Sequence, residues 1–229
     1  MAEAGRDTAK RTWIRIAWGL PLAAVLLLAP AGTLWFWQGW VYWFVYSSSV
    51  VLITGYFLKH DPELVERRLR AGPAAEKERS QKVIQSIANV LFILEVVVPG
   101  WEYRVHGPDV PVGLAIASDF LVALGFWIVF LAFKENSFAS AVIEVSQGQR
   151  VISTGPYRMV RHPMYAGALL MLGFTPLALG SYRAMIVVPF TVLVIVWRLL
   201  DEEKYLVGQL AGYEEYQRAT RYRLIPYIW

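Results

Sequence analysis

The residues best suited to chemistry lie in one short segment, residues 155–167, which reads GPYRMVRHPMYAG. It places Arg158, Arg161 and His162 at the start of a long apolar stretch, where ionisable groups are costly and usually mark a site. Pro163 suits the first turn of a helix, so we expect His162 at a helix N-terminus. Backbone N–H groups there, together with the two arginines, favour a carboxylate or phosphate. The alternative is that the arginines bind lipid phosphates and His162 only caps the helix.

A second charged group lies near the end of the last apolar stretch. Arg198 and Glu202 are four residues apart, so a helix places them on one face, whereas Glu203 points elsewhere. Arg198 either pairs with Glu202 or grips a ligand carboxylate with two hydrogen bonds. Two further segments could converge with these residues: the polar loop 135–155 and the C-terminal tail with its tyrosines.

The elements that must position these groups are apolar helices. The chain has 229 residues, of which 56% are hydrophobic and 17% charged, whereas about a quarter of a soluble domain is charged. A membrane helix needs about 20 apolar residues. We therefore predict an all-α, polytopic membrane helix bundle of about six transmembrane helices, or five if the first block is not a span. The apolar blocks are residues 14–31, 34–58, 83–99, 112–133, 164–179 and 184–200. The fifth block is short and should form a tight hairpin with the sixth, turning at residues 180–182.

The distribution of basic residues predicts the orientation. If the N-terminus is cytoplasmic, every Lys and Arg except Arg104 and Arg183 falls on the cytoplasmic side, including Lys77. Both termini and residues 155–167 are then cytoplasmic. The alternative for the first block is a signal peptide, since Ala29-Pro30-Ala31 resembles a cleavage site.

The polar segment 60–82 predicts a short helix that starts at Pro62 and lies on the membrane surface. Glu63 and Arg67 are four residues apart in the favourable order, and the basic residues are expected to contact lipid headgroups. The chain has no cysteine and its three histidines are scattered, so we expect no disulfide, thiolate nucleophile or zinc site. We expect neither a metal nor a nucleic-acid partner.

Taken together, the motifs resemble the isoprenylcysteine carboxyl methyltransferase family and its bacterial membrane branch, which is related to the phosphatidylethanolamine methyltransferases. The resemblance covers the C-terminal half closely and the N-terminal spans only by hydropathy. It is carried by Glu135-Asn136 with Phe138, Gln149-Arg150-Val151, residues 155–167, Gly180-Ser181, Arg198 with Glu202-Glu203, and GYEEY followed by RYRLIP.

The resemblance implies an S-adenosyl-L-methionine-dependent methyltransferase without a Rossmann domain. Residues 1–133 would be membrane spans lining the site of a lipophilic acceptor, and residues 134–229 would form the cytoplasmic cofactor pocket and catalytic region. By position in the family motifs, the expected catalytic residues are Arg161, Arg198 and Glu202. The expected cofactor contacts are Gln149, Tyr157, His162, Tyr165, Gly167 and Glu203.

The acceptor chemistry follows from the charges. A carboxylate is ionised at pH 7, needs no base and could be held by an arginine, whereas an amine would need a base such as Glu202. The arginines therefore favour a carboxylate, and the resemblance implies isoprenylcysteine-type carboxyl O-methylation in a bacterial inner membrane. The alternatives are N-methylation of a phospholipid headgroup and S-methylation of a small thiol. An NADPH-dependent membrane reductase and a non-catalytic ligand sensor are alternatives of other classes.

Overall fold

The computed structural model describes residues 2–76 and 78–229, and within them the chain forms eight α-helices and no β-strand. Lys77 lies outside the described residues, so its place in the charge distribution stays a prediction. Three short 3-10 helices cover Pro73–Ala75, Gly155–Arg158 and Arg183–Val187. The predicted all-α fold is confirmed. The α-helices are α1 Ala2–Leu28, α2 Trp37–His60, α3 Pro62–Leu69, α4 Arg79–His106, α5 Val112–Glu135, α6 Pro163–Ala178, α7 Val188–Gln209 and α8 Tyr213–Ala219.

In the described part of the chain, five helical segments are long and apolar enough to cross a membrane, which confirms a polytopic helical bundle. The number of such segments equals the alternative count of five, but the first apolar block is among them and the shorter α6 is not. The helix that falls short is α6, whose 16 residues are fewer than the roughly 20 that a bilayer requires. The five segments are Gly5–Leu28, Trp37–His60, Arg79–His106, Val112–Glu135 and Arg183–Gln209.

The short helix α6 packs tightly along α5. A Cβ atom on Gly167 of α6 would lie 2.7 Å from the carbonyl oxygen of Gly125 on α5, and the reciprocal distance is also 2.7 Å. Only glycine allows two helix backbones to approach this closely, a device that membrane helices use often. This contact holds α6 beside α5 and thereby fixes the residues at the start of α6.

The two ends of the bundle differ, and we name them the far end and the site end. The far end comprises residues 29–36, 107–111 and 179–183. Here Gly180 has a φ of +79° and its carbonyl accepts from the Asp109 N–H (3.1 Å), while Asp109 Oδ1 accepts from the Tyr182 N–H (2.8 Å). The predicted turn at residues 180–182 is confirmed. The site end comprises α3, residues 136–162, α8 and the tail 220–229.

Helix α3 begins at Pro62, as predicted. Asp61 caps it by accepting from the Leu64 N–H (2.9 Å), and the helix buries Leu64 and Val65 against the bundle. The expectation that its basic residues contact lipid headgroups is wrong for Arg67 and Arg68. Their guanidinium groups donate to backbone carbonyls of the segment after α5. Helix α3 therefore builds the site end.

Candidate functional site

A cavity opens at the site end, between residues 136–152, the start of α6, the last turns of α7 and the beginning of α8. It is polar where α6 and α7 meet and apolar where α7 and α8 meet. Six of the nine predicted site residues line it, so the fold brings together residues that are up to 53 positions apart. These six are Gln149, Tyr157, Arg161, His162, Tyr165 and Glu202.

The other three predicted site residues do not line this cavity. Gly167 lies in the tight contact with α5, where it acts in helix packing. Glu203 is buried (5% exposed) and faces the tail, and Arg198 faces the segment between α2 and α4. Any direct contact between these three and a ligand stays a prediction.

Glu203 is the centre of a buried charge cluster. Its Oε1 accepts from Arg161 Nε at 2.6 Å and lies 3.1 Å from His162 Nε2, and its Oε2 accepts from Arg223 Nε at 2.9 Å. Arg161 also donates through Nη1 to the backbone carbonyls of Thr220 and Arg221, both at 2.9 Å. One carboxylate thus joins the start of α6 to α7 and to the tail.

The tail also pairs with the backbone at the start of α6. The N–H groups of Arg161 and His162 donate to the carbonyls of Tyr222 and Arg223, both at 2.9 Å. These two N–H groups are therefore not free to bind an anion. Arg158 is exposed and lines a separate groove beside the tail. The three residues predicted to form one anion site therefore lie in two places: Arg161 and His162 line the cavity, and Arg158 lines the groove beside the tail.

The alternative for His162 is also wrong in part. His162 is the N-cap residue of α6, but its side chain makes no capping hydrogen bond and contacts Glu203 instead. Its ring is tilted at 5.7 Å from that of Tyr165, one turn along the helix. The side chain of His162 therefore forms part of the cavity wall and does not cap the helix.

Glu202 and Arg198 are connected through a tyrosine. Tyr165 donates to Glu202 Oε2 at 2.6 Å and accepts from Arg198 Nε at 3.1 Å. The ion-pair partner of Arg198 is Glu76 at 2.9 Å, with Gln81 accepting at 2.8 Å. Direct pairing of Arg198 with Glu202, one of the two interpretations from sequence, is therefore wrong. Among the described residues, Glu202 has no cationic group within ion-pair distance, and it lines the cavity.

Sequence reasoning missed Arg68, Glu76 and Gln81, which reach the site from α3, from the turn before α4 and from the first turn of α4. The sequence pattern could have identified Arg68. It lies four residues after Leu64 and three after Val65, so a helix places it on the same apolar, inward-facing side. Glu76 is 3% exposed although it stands in a polar turn, and nothing in the local pattern distinguishes it from a surface carboxylate.

The irregular segment after α5 is held in place by side chains. Its carbonyls accept from three arginines, and Glu76 Oε2 accepts from the Ile143 N–H at 3.2 Å. Buried backbone groups outside regular structure need such partners. The segment therefore forms a fixed wall of the cavity without a regular hydrogen-bond ladder.

Three tyrosines form the apolar wall of the cavity. Tyr216 donates to the carbonyl of Tyr157 (2.8 Å), and its ring lies 5.8 Å from that of Tyr213. Burial raises the pKa of Tyr157 to about 12 and raises the pKa values of Tyr213 and Tyr216 as well. All three stay neutral phenols near pH 7, so this wall suits a flat, uncharged ring of a ligand.

The charges at the site end sum to a positive excess. Five guanidinium groups lie in or behind the cavity walls, namely those of Arg68, Arg150, Arg161, Arg198 and Arg223. They face the four carboxylates of Glu76, Glu144, Glu202 and Glu203. The arrangement favours a ligand that carries at least one anionic group.

Comparison with known proteins adds two findings. Residues 114–211, somewhat less than half of the chain, match the family described as phospholipid methyltransferase. The chain is also 29% identical over 144 residues to the Delta(14)-sterol reductase TM7SF2 of Mus musculus. That alignment covers 56% of this chain and 34% of the relative, so the chain matches about a third of the relative's length. The matched residues 114–211 run from α5 to the end of α7 and include most of the cavity wall, so this part of the protein is similar to the phospholipid methyltransferase family.

Proposed function

We propose that the protein is an integral membrane methyltransferase that uses S-adenosyl-L-methionine at the site-end cavity to methylate a lipophilic acceptor. The observation that carries the proposal is the coincidence of the family match with the cavity. Residues 114–211 contain Tyr157, His162, Tyr165 and Glu202, and these four side chains line one cavity. The positively charged end of the bundle would face the cytoplasm, with both termini on that side.

The residues present fit this cofactor. The wall of Tyr157, Tyr213 and Tyr216 suits an adenine ring, and the polar side with His162 and Gln149 suits an amino-acid group. When bound, S-adenosyl-L-methionine would supply a methyl group on a sulfonium centre, so that a bond from the acceptor to the methyl carbon forms as the carbon–sulfur bond breaks and a neutral thioether leaves. For such a reaction, positioning and exclusion of water account for most of the rate that a protein contributes.

Glu202 has the role closest to the reacting groups in this proposal. Tyr165 fixes one carboxylate oxygen, and Arg198 fixes Tyr165, so the carboxylate is oriented without being neutralised by an ion pair. Glu202 can hold an ammonium group of the cofactor, or it can take the proton of an amine acceptor. Arg198 and Arg161 act as positioning residues, since carboxylates or backbone carbonyls occupy their contacts.

The leading acceptor is a carboxylate on a lipophilic group, as in isoprenylcysteine-type O-methylation, because the site end carries excess positive charge. Phospholipid headgroup N-methylation is the next candidate, and the description of the matched family favours it. Small-thiol S-methylation is the third. A reductase is a second candidate function, favoured by the likeness to the sterol reductase.

The test is transfer of a labelled methyl group by the full chain in lipid nanodiscs. The acceptor panel contains a prenylcysteine analogue, phosphatidylethanolamine, a small thiol and total membrane lipid. Label in one acceptor supports the proposal and identifies the acceptor. Binding of NADPH, with neither binding of the labelled cofactor nor methyl transfer, would contradict it and support the reductase.

A further inference from the structure

The carboxylate of Glu144 lies in the wall of the site-end cavity without a partner. The side chain is half-buried, and among the described residues neither of its oxygens takes part in a hydrogen bond or an ion pair. Arg150 lines the same cavity but is not within ion-pair distance of Glu144. A carboxylate oxygen is purely an acceptor, so the free carboxylate of Glu144 can receive hydrogen bonds from a ligand in the cavity.

The amide side chains of the same wall are engaged with the backbone. The side-chain oxygen of Asn136 accepts from the Phe138 N–H (3.0 Å), and that of Gln149 accepts from the Ser146 N–H (2.9 Å). These two contacts hold the irregular segment in its shape. Among the carboxylates and amides that line the cavity in the described part of the chain, Glu144 is thus the one with both oxygens free.

The residue before Glu144 is tied to the polar side of the cavity. The Ile143 N–H donates to Glu76 Oε2 at 3.2 Å. The other oxygen of Glu76 pairs with Arg198 at 2.9 Å, and Arg198 Nε donates to the hydroxyl of Tyr165 at 3.1 Å. This series of contacts fixes the backbone at residue 143 beside the polar side of the cavity.

The residue after Glu144 is tied to the apolar side. Val145 packs against the cluster that contains Tyr157, Tyr213 and Tyr216, the three tyrosines of the cavity wall. Consecutive Cα atoms are about 3.8 Å apart, so Glu144 lies within one residue of each side. Its free carboxylate therefore lines the cavity where the polar side and the tyrosine wall adjoin.

We infer that Glu144 binds the ribose of S-adenosyl-L-methionine by accepting hydrogen bonds from the 2′- and 3′-hydroxyl groups. This inference rests on the proposed function, in which the adenine lies against the tyrosine wall and the amino-acid group lies on the polar side. The ribose joins these two parts of the molecule, so it lies beside Glu144. Its two adjacent hydroxyl groups are donors that match the two oxygens of a carboxylate. Dinucleotide-binding proteins of another fold use an acidic residue on a ribose hydroxyl in the same way.

Equilibrium binding to the full chain in nanodiscs tests the inference without methyl transfer. The three probes are S-adenosylhomocysteine, its 2′,3′-dideoxy analogue, and 5′-methylthioadenosine, which keeps the ribose but lacks the amino-acid group. For the wild type, we expect the dideoxy analogue to bind at least tenfold more weakly than S-adenosylhomocysteine, because hydrogen bonds to a carboxylate are among the stronger ones.

Glu144→Ala should weaken binding of the two probes that keep the ribose hydroxyls about tenfold or more. It should change the affinity of the dideoxy analogue less than twofold, since that probe has no hydroxyl to lose. Glu144→Gln keeps one accepting oxygen, so its effect should be smaller than that of alanine. The matched control is Glu215→Ala, which removes a carboxylate from an exposed position of α8 and should change each affinity less than twofold.

The inference would be overturned if the dideoxy analogue bound the wild type as tightly as S-adenosylhomocysteine, or if Glu144→Ala left the affinities unchanged. A loss for S-adenosylhomocysteine without a loss for 5′-methylthioadenosine would also overturn it, because Glu144 would then bind the ammonium group. Failure of the wild type to bind any probe would overturn this inference together with the proposed function. Binding as expected without methyl transfer to any acceptor would count against the proposed reaction alone.

Discussion

The far end and the site end of the bundle both gather charged side chains, but they hold them differently. At the far end, Arg183 lies 3.1 Å from Glu102 and 3.5 Å from Asp109, and its side chain is 52% exposed. At the site end, the side chains of Arg161 and Glu203 are each 6% exposed and 2.6 Å apart. Exposed pairs contribute about 0–1 kcal/mol, whereas loss of one partner from a buried pair costs about 3–5 kcal/mol. Stability therefore depends more on keeping both partners of the buried Arg161–Glu203 pair than on keeping the exposed pairs of Arg183.

A second contrast lies within the site end, between two adjacent residues. Glu203 is surrounded by three basic side chains and holds the tail onto the start of α6. Glu202 receives one hydrogen bond from Tyr165 and faces the cavity. We interpret Glu203 as the structural carboxylate and Glu202 as the functional one.

The largest effect is expected from Glu203→Gln. Loss of this charge leaves Arg161 and Arg223 without a counter-ion, so the free energy of unfolding should fall by about 3–5 kcal/mol. Unfolding by titration with a denaturing detergent measures this change. The control is Asp109→Asn at the far end, which removes an exposed pair and should cost at most about 1 kcal/mol. Similar losses in the two variants would contradict the contrast between the ends.

Glu202→Gln should separate function from stability. Glutamine keeps an oxygen that accepts from Tyr165, so unfolding should change by less than about 1 kcal/mol. The rate of methyl transfer should fall about 100-fold or more, because glutamine can neither pair with the ammonium group of the cofactor nor take the proton of an amine acceptor. Initial rates with labelled cofactor measure the effect, and Glu214→Gln on the exposed face of α8 is the control. Wild-type activity in Glu202→Gln would show that the Glu202 charge takes no part in methyl transfer.

Gly167→Ala tests whether this residue acts in packing. The added Cβ atom would meet the Gly125 carbonyl at 2.7 Å, so we expect a loss of about 1–3 kcal/mol of stability. Gly173→Ala in the same helix meets no atom within 4 Å and should stabilise by about 0.5–1 kcal/mol. Loss of cofactor binding in Gly167→Ala at unchanged stability would instead indicate a direct contact with the cofactor.

The smallest effect is expected from Tyr216→Phe. It removes the hydrogen bond to the Tyr157 carbonyl but keeps the ring in the cavity wall. A hydrogen bond of this kind contributes about 1 kcal/mol, so cofactor affinity should fall no more than about fivefold. Equilibrium binding measures the change. A complete loss of binding would mean that the hydroxyl, rather than the ring, recognises the ligand.

Much of the fold follows from the sequence because apolar blocks of membrane length are themselves the helices. The helix start at Pro62 and the turn at Gly180 follow from local chemistry, and the structure places both as predicted. The predicted count of six spans included α6, which is shorter than a membrane span and packs closely against Gly125 of α5. Such a contact between helices cannot be read from the pattern of one segment.

The sequence allowed several residues that line the cavity to be predicted, but not the hydrogen bonds and ion pairs that hold them. Tyr157, His162, Tyr165 and Glu202 come together as the motifs suggested. The counter-ion of Arg198 was not predictable, because Glu76 lies 122 residues away in a segment that reads as a surface turn. Ion pairs between distant segments depend on tertiary packing, for which local spacing contains no information.

Ultraviolet crosslinking of labelled S-adenosyl-L-methionine to the full chain in nanodiscs, followed by mapping of the labelled peptides, tests directly whether the site-end cavity binds this cofactor. We expect label within residues 136–165 or 202–216, displaced by excess S-adenosylhomocysteine and unaffected by NADPH. Label at the far end, displacement by NADPH, or no label at saturating cofactor would contradict a methyltransferase site at this end of the bundle.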